Sequence, residues 1–169
     1  MKIGSKVLRL DKETKFVKEG QFADKLYFVI SGSARAYYTK NGKDITDWFA
    51  FEGDFVSAID SFFRDSQTIY NIELLEPTIL LQISRETVLA LSDKHHCFEK
   101  LGRIAVTKTM LKLQERVVSI QFESALQKYK SLLNTRLDII QRVQLTHIAS
   151  YIGVTLETLS RIRNPKNRI

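Results

Sequence analysis

The stretch QLTHIASYIGVTLETLSRIR, residues 144–163, contains two short amphipathic segments separated by one glycine. Apolar side chains occur where two crossing helices would face each other, and Gly153 lies where the turn between them favours a positive φ angle. This pattern predicts a helix-turn-helix. The inward-facing positions are Ile148, Ala149 and Ile152 in the first segment and Val154, Leu159 and Ile162 in the second.

The outer face of the second segment is polar and partly basic. Thr155 is placed to cap this helix, and a helix face of this kind suits the major groove of double-stranded DNA. An ordinary helical hairpin is the alternative, but the spacing, the glycine, the cap and the charge together favour DNA binding. The candidate DNA-binding residues are Thr155, Leu156, Glu157, Ser160, Arg161 and Arg163.

The charge of the 169-residue chain is unevenly distributed. The net charge is +7, yet residues 100–169 contain 13 of the 26 basic residues and only 4 of the 19 acidic residues. The C-terminal part is therefore strongly basic, whereas residues 1–99 are slightly acidic. A basic region of this density is typical of a domain that binds a polyanion, because each neutralised phosphate releases counterions. A solvated basic surface is the other interpretation of the charge alone.

Residues 7–83 contain short β-rich runs separated by turn residues, among them LYFVI (26–30), ARAYY (34–38) and TILLQI (78–83). Asn41-Gly42 is typical of a type I′ hairpin, because both residues tolerate positive φ. Several strands at this spacing predict a barrel or a sandwich. After Ser84, a candidate helix N-cap, the periodicity becomes helical.

The segment from about Phe98 to Ala125 predicts one long helix with a heptad-like apolar seam, interrupted by Lys108 and Glu115. Packing against the β-rich part explains some of such a stripe, and self-association explains the remainder. We therefore expect the chain to form a homodimer through this helix. The candidate dimerisation residues are Leu101, Ile104, Leu111, Val118 and Phe122, with Ala125 continuing the same spacing.

Several classes of protein do not fit the composition. No apolar run is long enough to span a bilayer or to form a signal peptide, so a cytoplasmic protein with no membrane partner is expected. The single Cys97 is expected to be buried, and adjacent His95 and His96 are expected on the surface, so no metal site is predicted. The β-rich part has no histidine, which argues against a cupin-type metalloenzyme. No catalytic motif occurs, and an enzyme is not expected.

Three stretches together resemble the Crp/Fnr superfamily of bacterial transcription regulators, and most of all its short members from Bacteroidetes. They are EGQFADKLYFVISGSARAYY (19–38), FAFEGDFVSAIDSFF (49–63) and the helix-turn-helix stretch, and the likeness covers about residues 7–163. The resemblance implies an α+β fold with a cyclic-nucleotide-binding-like β-roll (a jelly-roll), a long dimerisation helix and a helix-turn-helix of winged-helix type. The corresponding domains are residues 1–97, 98–123 and 124–169. Since Asn164-Pro165 should end the last helix and four residues follow, the wing is expected to be short or absent.

The resemblance also implies a function, namely sequence-specific regulation of transcription by a homodimer on a pseudo-palindromic DNA site, with RNA polymerase as a further partner. By motif position, Glu157 and Arg161 match residues that contact bases or phosphates, and Thr155 lies near the backbone. Leu156 departs from the basic residue often found there, so one guanine contact is expected to be missing. The alternative is a cyclic-nucleotide-binding-like signalling module that does not bind DNA.

The effector pocket implied by the resemblance lacks its usual ligand-binding residues. Cyclic-nucleotide binders use a Glu for the ribose and an Arg-Ser pair for the cyclic phosphate, but Ala58 and Thr68-Ile69 occupy those places here. Arg64 lies four residues too early and is expected in a solvated turn. Because a buried phosphate needs a cation or several donors, tight binding of cyclic AMP or cyclic GMP is not expected. No cofactor is predicted, and whether another small effector binds is left open.

This degenerate effector pocket consists of Ser57, Ala58, Thr68, Ile69 and Tyr70. Asp60 and Ser61 could join its polar members to line a cavity. Alternatively, these polar side chains cap a short helix and finish strands, which is the interpretation we favour.

Overall fold

The computed structural model describes residues 4–164. Contacts between residues divide the chain into two compact units. The first contains the residues up to Tyr38 together with Asp47–Thr109, and the second contains Thr39–Thr46 together with the residues from Met110 onward.

Two antiparallel four-stranded sheets form a β-roll, and all of their residues except Thr39, Lys40 and Lys43–Thr46 belong to the first unit. Their eight strands are β1 (Ser5–Leu10), β2 (Lys15–Val17), β3 (Lys25–Ser31), β4 (Ala34–Lys40), β5 (Lys43–Ala50), β6 (Phe55–Val56), β7 (Asn71–Leu74) and β8 (Thr78–Ser84). One sheet has the order β1-β8-β3-β6 and the other the order β2-β7-β4-β5. The strands predicted between Val7 and Ile83 are confirmed, but this part of the chain is not all-β, because a short helix, Ile59–Arg64, lies between β6 and β7. The two-residue β6 was not predicted, since so short a strand has no periodicity to detect.

The core of the β-roll comes from alternate side chains of both sheets. Val29 and Leu80 from one sheet and Ala36, Ile72 and Leu74 from the other are essentially inaccessible to solvent and belong to one apolar cluster. Alternation places every second residue of a strand on the inner face, so burial of these residues fixes the register of the strands.

The hairpin between β4 and β5 has the predicted geometry. Asn41 and Gly42 both have positive φ angles, of 52° and 73°, as a type I′ turn requires. Sequence alone therefore located the tip of this hairpin correctly.

Seven helices complete the described part of the chain. They are α1 (Ile59–Arg64), α2 (Arg85–Lys94), α3 (His96–Phe122), α4 (Ala125–Thr135), α5 (Ile139–Arg142), α6 (Leu145–Ile152) and α7 (Leu156–Arg163). Ser84 caps α2 as predicted, because its Oγ accepts a hydrogen bond from the Thr87 amide. No helix within residues 4–164 combines the length and the hydropathy that a membrane span needs.

The long predicted helix exists but ends earlier than its apolar spacing indicated. α3 ends at Phe122, and Ala125 is the first residue of α4, so Ala125 does not continue the seam of α3. The reason is a capping box, in which Ser124 accepts a hydrogen bond from the Gln127 amide while the Gln127 side chain accepts one from the Ser124 amide. This motif begins a new helix at a position where the spacing still looked periodic.

α7 ends at Arg163, with Asn164 as its C-cap. The predicted role of Pro165 and the predicted short or absent wing concern residues 165–169, which lie outside the described residues. The domain boundaries drawn from the sequence remain predictions.

Candidate functional site

The predicted helix-turn-helix is formed by α6 and α7. Gly153 ends α6 with φ 75° and ψ 35°, the left-handed conformation that glycine adopts most easily. The Val154 amide then donates to the carbonyl of Ala149 over 2.9 Å, which closes the turn. Thr155 Oγ1 accepts a hydrogen bond from the Thr158 amide over 3.1 Å and so caps α7, as predicted.

The helices of this motif pack on a small apolar core. Ile148, Ala149, Ile152 and Leu159 are buried, as their spacing predicted. Val154 and Ile162 were expected to close the core, but both remain partly exposed. The buried side chains that complete the core come from the preceding helices and were not predicted. They are Tyr129 of α4, Ile139 of α5 and Val143, which follows α5.

The outer face of α7 is solvent-exposed along its whole length. Every candidate DNA-binding residue is exposed, namely Thr155, Leu156, Glu157, Ser160, Arg161 and Arg163. Glu157 lies in the first turn and Arg161 and Arg163 lie in the last, an order that also favours the helix dipole. The structure therefore brings all six residues onto one accessible helix, with the two arginines at its C-terminal end.

Other basic side chains near this motif are engaged within the protein. Arg136 and Arg142 lie 2.9 Å and 3.1 Å from the carboxylate of Asp138. Burial opposes ionisation of Asp138, but hydrogen bonds from Arg142 and Arg136 outweigh it and lower the pKa of this carboxyl. The guanidinium of Arg116 stacks on the ring of Tyr151 in α6, 4.3 Å from its centroid. These cations stabilise the fold, which sets them apart from the arginines of α7.

The predicted dimerisation residues lie on an exposed helix. No described residue of α3 is buried, and Leu101, Ile104, Leu111, Val118 and Phe122 are all between 46% and 78% exposed. An apolar face this accessible is unusual for a surface helix and is typical of one that packs against a partner.

A second apolar stripe on α3 was missed. It consists of Val106, Met110, Leu113, Val117 and Ile120, all more than half exposed. Their spacing of four, three, four and three residues is that of a coiled-coil seam, and no charged residue interrupts it. At 3.6 residues per turn the two stripes lie on opposite sides of α3. The uninterrupted spacing of these five apolar residues was the sequence signal from which the second stripe could have been predicted.

The loops of the degenerate effector pocket are closed by internal hydrogen bonds. The Asp60 carboxylate accepts from the amides of Ser61 and Ile69, over 2.9 Å and 3.1 Å. Ser61 Oγ accepts from the Ala23 amide over 2.6 Å, and Thr68 Oγ1 accepts from the Tyr70 amide over 3.0 Å. These polar groups accept hydrogen bonds from backbone amides, which supports the interpretation that they cap and connect elements.

The remaining pocket candidates offer little to an anion. Ala58 and Thr68 are buried, and Ile69 is 59% exposed, so these three residues do not form one lining. Ser57 Oγ donates to the Lys25 carbonyl. Arg64 is exposed in the last turn of α1, not in a loop. Tyr70 is partly buried, and its hydroxyl is hydrogen-bonded to the Asp47 carboxylate. Burial and this carboxylate together raise the pKa of Tyr70 to about 12.

Cys97 was expected to be buried, but it is exposed at the start of α3. Cys97 shares this exposure with the whole of α3, in which no described residue is buried. His95 and His96 are exposed, as expected. Among residues 4–164, no group of three or more His, Cys, Asp or Glu side chains is arranged to hold a metal ion.

Comparison with known proteins agrees with this architecture. Residues 7–95 match the model of the cyclic nucleotide-binding domain family. No curated protein matches the chain. Solved structures with the same fold include FixK2 from Bradyrhizobium japonicum, with a TM-score of 0.79 and 16% identity over 95% of this chain and 83% of FixK2.

Two further structures extend the comparison. The c-di-GMP responsive global regulator CLP from Xanthomonas campestris has a TM-score of 0.75 and 18% identity, over 96% of this chain and 86% of CLP. A protein from Eubacterium rectale assigned to the Crp/Fnr family of transcriptional regulators has a TM-score of 0.73 and 19% identity, over 94% of this chain and 76% of that one. The fold implied by the Crp/Fnr resemblance is thus confirmed, and the chain belongs to the cyclic nucleotide-binding domain family with the architecture of the Crp/Fnr regulators.

Proposed function

We propose that this protein is a sequence-specific DNA-binding regulator of transcription of the Crp/Fnr type. The observation that carries the proposal is the exposed face of α7, where Ser160, Arg161 and Arg163 stand on a capped helix held by a packed core. Arginine can contact guanine through two hydrogen bonds, and serine can donate to a phosphate or a base. The basic balance of residues 100–169 supplies the attraction to the DNA backbone.

The same proposal includes a homodimer that forms through α3. A helix-turn-helix monomer contacts one half-site, and a two-fold dimer presents two recognition helices one turn of DNA apart. The two exposed apolar stripes of α3 supply the surface for such a dimer. The predicted stripe is interrupted by Lys108 and Glu115, whereas the second stripe contains no charged residue. The dimer therefore packs through the second stripe in this proposal.

Cyclic AMP is not the effector in this proposal. Thr68 and Ile69 replace the Arg-Ser pair that would hold the cyclic phosphate, and Ala58 replaces the Glu that would hold the ribose. The nearby Asp60 carboxylate would repel an anion. A cytoplasmic location and contact with RNA polymerase follow from the same assignment, because a regulator of this type acts where transcription takes place.

Selection of binding sites from random duplex DNA tests the proposal. We expect a two-fold symmetric consensus that the wild-type protein binds with steep salt dependence. The Arg161→Ala variant should lose roughly 1–3 kcal/mol of discrimination at one base position of each half-site. Arg64→Ala is the matched control, because it removes one exposed arginine from α1 and leaves α7 intact. Sequence-blind binding, or equal selectivity in both variants, would contradict the proposal and favour a signalling module that does not bind DNA.

A further inference from the structure

The tip of the β4–β5 hairpin, residues Thr39–Thr46, belongs to the same compact unit as the helix-turn-helix. One side chain of α6, that of Ser150, is hydrogen-bonded to this tip. Ser150 Oγ donates a hydrogen bond to the Asp44 carbonyl over 3.0 Å and accepts one from the Thr46 amide over 2.9 Å. These residues are more than 100 positions apart in the sequence, so only the tertiary structure brings them together.

Ser150 binds the edge of β5 in the way that a neighbouring strand would. β5 is an edge strand, and residues two apart on a strand direct their backbone groups to the same side. Ser150 therefore binds a donor and an acceptor that an additional strand would otherwise engage. Thr46 is fully buried, which makes the hydrogen bond to its amide costly to lose.

The position of Ser150 in the motif gives this contact a consequence for α7. Ser150 lies between Ala149 and Tyr151, in the last turn of α6, and α6 joins α7 through the three residues 153–155. Ala149 is buried in the core shared with α7, and its carbonyl accepts the bond that closes the turn. Restraining Ser150 thus restrains the helix against which the recognition helix packs.

We propose that Ser150 is a positioning residue, which anchors the helix-turn-helix to the hairpin tip and so fixes the orientation in which α7 is presented. This inference rests on the proposed function, because it concerns how the DNA-binding face is held. A dimer must place two recognition helices at a fixed separation, and a helix that is already oriented loses less freedom on binding. The hairpin tip therefore contributes to binding of a specific two-fold site and not to sequence-independent binding.

The test compares the full-length Ser150→Ala variant with wild type. Alanine favours helix and fits the space of serine, so the variant should fold. Thr135→Ala is the control, since it removes a hydroxyl of the same unit that donates within its own helix, to the Ser131 carbonyl. Two quantities are measured: the exchange rate of the Thr46 amide by NMR, and the affinities for a selected two-fold site and for random duplex DNA.

In Ser150→Ala we expect the Thr46 amide to exchange faster, on the order of tenfold, because the Ser150 hydroxyl no longer accepts a hydrogen bond from it. Affinity for the selected site should fall by roughly three- to tenfold, while affinity for random DNA stays unchanged. Unchanged exchange would overturn the anchor itself. Faster exchange with unchanged site affinity would overturn the positioning role. Failure of the wild-type protein to select any site is a different result, which overturns the proposed function and the positioning role with it.

Discussion

The carboxylate of Asp60 accepts a hydrogen bond from the backbone amide of Ile69, over 3.1 Å, and joins α1 to the loop that leads into β7. By the Crp/Fnr resemblance, this part of the fold corresponds to the region that holds the phosphate in cyclic-nucleotide binders. Here a carboxylate already binds a backbone amide at that place, and no cation occupies the motif positions. The contact stabilises the loop and makes the site unfavourable for a second negative charge.

Cyclic nucleotides should not bind to this protein with useful affinity. We expect titration calorimetry with cyclic AMP or cyclic GMP to show no saturable heat below roughly millimolar nucleotide, because Thr68 and Ile69 supply no cation for the phosphate. Micromolar affinity for either nucleotide would contradict this expectation. Adenosine serves as the control ligand, since any binding that it shares with cyclic AMP cannot come from phosphate recognition.

The two apolar stripes of α3 can be separated by one substitution in each. Leu113→Asp places a charge in the uninterrupted stripe, and Leu111→Asp places one in the stripe predicted from sequence; the two side chains are 52% and 49% exposed. Because burial of an unpaired charge is costly, the variant that alters the true interface should dissociate to monomers in sedimentation velocity. We expect dissociation for Leu113→Asp and retention of the dimer for Leu111→Asp. The reverse result would assign the interface to the predicted stripe.

Ionisation of Tyr70 should destabilise the fold at high pH. Burial and the neighbouring Asp47 raise the pKa of Tyr70 to about 12, whereas an unperturbed tyrosine has a pKa of about 10. The folded state therefore keeps a proton that the unfolded state loses, so the contribution of Tyr70 is complete below about pH 10 and is lost between about pH 10 and 12. Urea denaturation at about pH 9 and pH 11 should show a larger loss of stability for wild type than for Tyr70→Phe. An equal loss in the two proteins would mean that Tyr70 titrates normally.

Removing one partner of the buried ion pair between Arg35 and Glu73 should destabilise the fold strongly, whereas replacing both partners by apolar residues should destabilise it little. Arg35 is 4% exposed, its Nε donates to Glu73 Oε1 over 2.6 Å, and its guanidinium stacks on Tyr37. Either single substitution, Arg35→Met or Glu73→Leu, leaves one buried charge without this partner and should cost about 3–5 kcal/mol in the free energy of unfolding. The double variant should recover most of that loss. Additive losses in denaturant titrations would show that the pair is not coupled.

Two leucines of the helix-turn-helix should differ in how much they contribute to the stability of the fold. Leu159 is fully buried and Leu156 is 46% exposed on the candidate DNA face. Leu159→Ala should lower the free energy of unfolding by about 2–5 kcal/mol, because it leaves a cavity in a small core. Leu156→Ala should change stability by less than about 0.5 kcal/mol. Chemical denaturation measures both, and a large loss of stability in Leu156→Ala would show that this side chain is packed.

Local patterns were sufficient where the determinants are close in sequence. The Asn41-Gly42 turn, the Ser84 cap, the Thr155 cap and Gly153 were all predicted correctly, because each acts within a few residues of itself. Periodicity alone was less reliable. Periodicity extended the predicted seam of α3 to Ala125, beyond the capping box at Ser124. The second apolar stripe of α3 was not predicted.

The sequence by itself determined the order of the elements, the burial of Ile148 and Leu159, and the exposure of Arg161, because periodicity and short turn motifs encode these features locally. Only the tertiary structure decided which distant groups meet. Ser150 reaches Thr46, Asp60 reaches Ile69 and Arg35 reaches Glu73 because strand register and helix packing bring them together. Such pairings depend on the whole set of long-range contacts, which leave no periodic signal in any one segment.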